Sequence, residues 1–69
     1  MTEYLVVYEH DADGWSAYVP DVPGCVAAAA TRNHAEILIR EALEMHIAGL
    51  RDAGLPLPVP TTVAGTVPA

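Results

Sequence analysis

The sequence predicts a small two-layer α+β domain of order β-β-β-α-β, an antiparallel three-stranded sheet covered by one helix, with a fourth strand at an edge. Three observations lead there. Two short runs of aromatic and β-branched residues flank the turn tetrapeptide Asp11-Ala12-Asp13-Gly14. A stiff corner, Pro20-Asp21-Val22-Pro23-Gly24, follows, in which two prolines fix φ and a glycine can take angles that other residues avoid. Beyond it lies one long stretch of helical periodicity.

Taken in order, Tyr4 to Tyr8 ("YLVVY") reads as the first strand and Asp13-Gly14 as a hairpin dipeptide. Trp15 to Val19 returns as the second strand. Val19 and Val22 each precede a proline and are pushed toward extended backbone, so the corner leads strand into strand, and Cys25 to Ala29 form a short third one. Thr31 is a good N-cap for a helix over Arg32 to Ala53, whose Ala35, Leu38, Ile39, Ala42, Leu43, His46, Ile47 and Leu50 recur on one face. Gly54 stops it and Pro56 prevents continuation. Arg32, Glu36, Arg40 and Glu44 succeed one another every four residues as a solvated charge ladder. In the tail, Pro56, Pro58 and Pro60 favour an extended polyproline path. Thr61 to Val67 have strand character and would pair at a sheet edge, of their own chain or of a neighbour by exchange. Residues 1–69 thus read as a single domain, with a core over 2–60 and a tail over 61–69.

Composition narrows function. Three basic against nine acidic residues, a net charge of −6, argue against unaided binding of a nucleic acid, which requires a basic surface. A basic partner suits the chain better. Cys25 is the only cysteine, so no intrachain disulfide forms, and His10, His34 and His46 are not at metal-ligand spacing. No metal or cofactor is expected. The first residues lack the basic start of an export signal, and no apolar run approaches the ~20 residues of a membrane span. With the lone thiol, this suggests the cytoplasm. Glu3 and Glu9 share one face near the ends of the first strand, too few carboxylates for a metal-dependent nuclease, so no catalytic residue is assigned. Cys25 reads as a small buried hydrophobe and His46 as a packed histidine.

Both alternating sets of the first strand are apolar, Tyr4, Val6 and Tyr8 on one side and Leu5 and Val7 on the other. One helix covers one face. The other must meet a second subunit, a partner or the tail, and a homodimer or higher homo-oligomer is expected, with Val63 and Val67 as interface residues. Candidate contacts for a basic partner are Asp11, Asp13 and Asp21 in or beside the two turns, and Ile37, which projects from the polar side of the helix. The plainer role of the three aspartates is turn capping.

These residues resemble a known family. The run "DGWSAYVPDVPGCVAAAATRNHAEILIREALEMHIAGLRDAGLPLPVP" is similar to the N-terminal domain of HicB-type antitoxins. The resemblance is carried by Asp13-Gly14 with Trp15 and Tyr18, by Pro20-Asp21-Val22-Pro23-Gly24-Cys25, and by Thr31, Ala35, Glu41-Ala42 and Gly54 with the proline series. It spans residues 4–60 and implies a truncated ribonuclease H-like topology. It also implies a cytoplasmic, non-enzymatic antitoxin of a type II toxin-antitoxin system, which binds and occludes a small basic HicA-type ribonuclease. The family usually has glycine near Ala29 and acidic residues where Asn33 and His34 stand. Full-length members carry a second, DNA-binding domain, for which these 69 residues leave no room, so no direct nucleic-acid contact is expected. The alternatives are an orphan oligomeric interaction domain of the same fold with no toxin, and a degenerate ribonuclease H-like enzyme.

Overall fold

A tight turn decides the register of the sheet. In a computed structural model describing residues 2–69, the first two strands are β1 (Val7–Asp11) and β2 (Gly14–Tyr18), joined by only Ala12 and Asp13. They pair antiparallel from Asp11↔Gly14 to Val7↔Tyr18. The strand expected over Tyr4–Tyr8 is therefore displaced toward the turn. The hairpin offers partners to Glu9, His10 and Asp11, whereas β2 gives way to Pro20 before it can reach the apolar residues upstream of Val7. The loop also sits one residue earlier than Asp13-Gly14. Gly14 opens β2 at φ 135°, and a Cβ there would lie 2.6 Å from the Ala29 carbonyl oxygen, so the position admits only glycine.

Two consecutive β-turns build the corner. Val22 donates its N–H to the Val19 carbonyl at 3.0 Å, and Cys25 donates to the Val22 carbonyl at 3.1 Å. Each turn has proline at its second position. The latter turn has Gly24 at its third with φ 85°, the signature of a type II turn. The Val19 N–H closes the whole on the Cys25 carbonyl at 3.1 Å. Val22, at the junction, is fully buried. From there β3 (Val26–Ala29) pairs antiparallel with β2, giving the order β1-β2-β3.

Helix α1 (Arg32–Asp52) crosses one face of the sheet, chiefly over β2 and β3. Thr31 caps it, its hydroxyl accepting the His34 N–H at 3.2 Å. At the other end Gly54, at φ 69°, donates to the Arg51 carbonyl and Leu55 to the Leu50 carbonyl. This is the double bond of a Schellman motif, which satisfies two orphan carbonyls. Ala35 and Ile39 are the buried helix residues, and Ile39 joins Ala17, Val19, Val22 and Cys25 in the core. Tyr4, Val6 and Tyr8 pack against that core at every second position, so strand alternation continues upstream of β1. The architecture is thus the expected three-stranded antiparallel sheet followed by one helix. The charge ladder is solvated as expected, with Arg32, Arg40 and Glu44 exposed and Glu36 half-buried. Arg32 pairs with Glu36 at 3.2 Å and lies 5.0 Å from the Tyr8 ring centre, while Arg40 and Glu44 line a groove beside Tyr4 and Val6.

No strand follows the helix among the described residues, so Thr61–Val67 adds none to the sheet of its own chain. Prolines precede this segment, and the amides of its first two residues are taken by a side chain elsewhere.

Candidate protein-interaction surface

Cross-strand register fixes what each face carries. Residues directly opposite share a face, so Tyr8, Ala17 and Ala27 lie toward α1 with His10, Trp15 and Ala29. The outer face carries the row Val7, Tyr18 and Val26, followed by the row Glu9, Ser16 and Ala28. Val26 is 65% exposed and Tyr18 38%, an apolar strip across all three strands with Glu9 beside it. Sequence reasoning foresaw a second apolar face on the first strand. It missed this strip, which exists only once three separate strands are in register.

Charge is divided between the layers. All three basic side chains, Arg32, Arg40 and Arg51, are on α1, and the chain has no lysine. The segment before the helix holds Glu3, Glu9, Asp11, Asp13 and Asp21 without a cation to offset them. The sheet layer is consequently the acidic side of the molecule.

The expected contact residues do not converge. Asp11 and Asp13 lie at the hairpin end, where Asp11 Oδ1 accepts the Asp13 N–H at 2.8 Å. Both line an open hollow of about 310 Å³ with Trp15 and Ser16. The Trp15 ring is stacked on His10 with centroids 4.5 Å apart. Asp21 sits at the other end of the sheet. Ile37 is 48% exposed on the helix side away from buried Ala35 and Ile39. Val63 and Val67 are almost fully exposed, at 89% and 90%.

Asp21 is engaged by its own chain. Its Oδ2 accepts the backbone N–H groups of Thr61 and Thr62 at 3.1 and 3.0 Å, and its Oδ1 accepts their hydroxyls at 3.1 and 2.7 Å. The Tyr4 hydroxyl donates to the Pro58 carbonyl at 2.6 Å. These bonds clasp the tail across the corner. The Thr62 hydroxyl, then the Thr62 N–H and the donors of Thr61, hold the Asp21 carboxyl below its ordinary value of 3.8. The sequence marks Tyr4 only as a strand residue and Thr61 only as the start of the tail, because nothing local signals a polar contact 40 or more residues away. Cys25 is buried and unpaired, and burial pushes its thiol pKa up, away from reactivity. Among the described residues no group of three or more His, Cys, Asp or Glu is arranged to hold a metal ion. None of their helices is long and apolar enough to cross a membrane.

Fold and surface together define a class: a small α+β domain with one sheet face packed under a helix and an acidic, partly apolar face open to another molecule. The chain belongs to the HicB-like antitoxin family of bacterial toxin-antitoxin systems, whose model matches residues 4–68. It resembles a chain of the HicA3 and HicB3 toxin-antitoxin complex, with a TM-score of 0.70 and 32% identity, over 87% of this chain and 70% of that one. It is also 38% identical over 55 residues to an uncharacterised 14.9 kDa protein from the rep-hol intergenic region of Haemophilus phage HP1 (strain HP1c1). That match covers 80% of this chain and 41% of the phage protein, so the chain spans less than half the length of this relative.

Proposed function

We propose that this domain acts as an antitoxin that binds a small basic HicA-type ribonuclease and occludes its active site, without catalysis of its own. The observation that carries the reading is the segregation of charge. A sheet layer with five carboxylates and no lysine or arginine can steer a basic protein toward it and occupy the surface where that protein would hold an RNA backbone. The apolar strip of Val7, Tyr18 and Val26 supplies area to bury, and aromatic residues are enriched in such interfaces. Asp11 and Asp13 line the hollow beside Trp15, and exposed carboxylates there support their reading as contacts for a basic side chain of the toxin. Family membership and the likeness to a toxin-antitoxin complex support the same reading.

The test is co-expression with any short basic open reading frame found beside this domain's gene, read as growth, and titration of the two purified proteins at several salt concentrations. Rescue of growth is expected, with an affinity that falls as salt rises. A toxic neighbour that is neither neutralised nor bound would overturn the proposal.

A further inference from the structure

The N-terminal edge of the sheet is unfinished. Thr2–Val6 make no backbone-to-backbone hydrogen bond outside the β1–β2 ladder among the described residues, yet Tyr4, Leu5 and Val6 are half-buried. An extended apolar stretch at a sheet edge whose backbone groups have no partner strand is a template for another strand. Two open grooves of about 530 and 520 Å³ adjoin it, because α1 lies over β2 and β3 and leaves the β1 side uncovered. Tyr4, Val6, Ile39, Leu43 and Ile47 line them.

A complementary segment exists in the same chain and is unused there. Val63–Val67 is fully exposed and follows directly on the Asp21 clasp, which fixes where it leaves the body. The radius of gyration is 13.4 Å, against about 11 Å for a compact chain of this length, as a projecting segment requires. The five residues contain no proline and no charge, and alternation puts Val63, Gly65 and Val67 on one side. Five residues also match the stretch from Tyr4 to Tyr8.

We propose that Val63–Val67 of a second copy of this chain pairs with the Tyr4–Tyr8 edge, seating Val63 and Val67 in the grooves, and that the exchange is reciprocal. Two edges meeting each other fit less well, since antiparallel pairing centred on Val6 sets Glu3 against Glu9 in both directions. The neutral segment has no such conflict. This interface goes beyond toxin binding and is tested without a toxin.

Sedimentation equilibrium of the full chain over a dilution series is compared with a chain stopped after Thr62, which keeps the clasp. The full chain is expected at twice its 7.3 kDa and the shortened one as a folded monomer. The full-length double variant V63D/V67D should be monomeric with an unchanged circular dichroism spectrum. On a C25A background, an L5C chain should give a mixed disulfide dimer on oxidation with an A64C chain if the strands run parallel, or with a T66C chain if they run antiparallel, since these side chains share the outer face. A monomeric full chain, a dimer that survives loss of Val63–Val67, or a dimer in which position 5 cross-links with neither 64 nor 66 would each overturn the proposal.

Discussion

The two turns of the sheet use the same residue types and do opposite things. At the hairpin end Asp11, Asp13 and Gly14 make an exposed loop in which one aspartate caps the other. At the corner Pro20, Asp21, Pro23 and Gly24 make a closed knot around buried Val22, and Asp21 reaches out to hold the tail. Five residue pairs separate the ends, roughly 16 Å at strand spacing. An aspartate in a turn is therefore not one kind of residue. Its role follows from what else arrives there: among the described residues no donor from a distant segment reaches the aspartates of the hairpin, whereas two threonines of the tail reach the one at the corner.

Several substitutions break or sharpen this contrast. The largest effect belongs to the knot. Val22→Asp would leave an unpaired charge in the core at a cost of about 4 kcal/mol, comparable with the whole stability of a domain this small, and should abolish the thermal transition seen by circular dichroism. Gly14→Ala comes next. It combines a φ of 135° with a 2.6 Å clash on backbone, so a loss of about 2–3 kcal/mol is expected in urea titration. Gly24→Ala meets nothing within 4 Å and bears only the φ penalty, about 1 kcal/mol, so finding it more damaging than Gly14→Ala would reverse the ranking.

Asp21→Ala acts locally. It removes the two oxygens that accept four hydrogen bonds, and hydrogen exchange at Thr61 and Thr62 should rise to unprotected rates while the core amides stay slow. The same exchange reads the pH dependence. Because the carboxyl is held below 3.8 in the folded chain, the clasp is fully present above that value and is lost as pH falls through the lowered one. Smallest in stability is Asp11→Ala with Asp13→Ala, a surface change of about 0.5 kcal/mol or less. If these residues meet the toxin, the pair should weaken its binding and flatten the salt dependence. Unchanged titrations would remove the hairpin end from the interface.

Local chemistry made most of the fold legible. The Pro-Gly corner, the Thr31 cap and the Gly54 stop each depend on a few neighbouring residues, and each stands where the chain predicts. The first strand slipped because apolar content marks Tyr4–Tyr8, whereas pairing depends on which residues find a partner across a two-residue loop. Of the surface residues, Asp11 and Asp13 were legible as exposed turn carboxylates. The clasp was not, since it joins Asp21 to Thr61 and Thr62 over 40 residues of chain. Nor was the strip of Val7, Tyr18 and Val26, whose members belong to three strands and become neighbours only after pairing.

The closed corner also bears on the order of events as the chain folds. Val19 and Cys25 are six residues apart, so bringing them together costs little loop entropy, and the prolines have already removed many alternatives. The knot is then suited to form early and to persist in the folding transition state, which makes substitutions there slow refolding. The tail clasp closes a far longer loop and comes last, so its loss should show instead as faster escape from the native state.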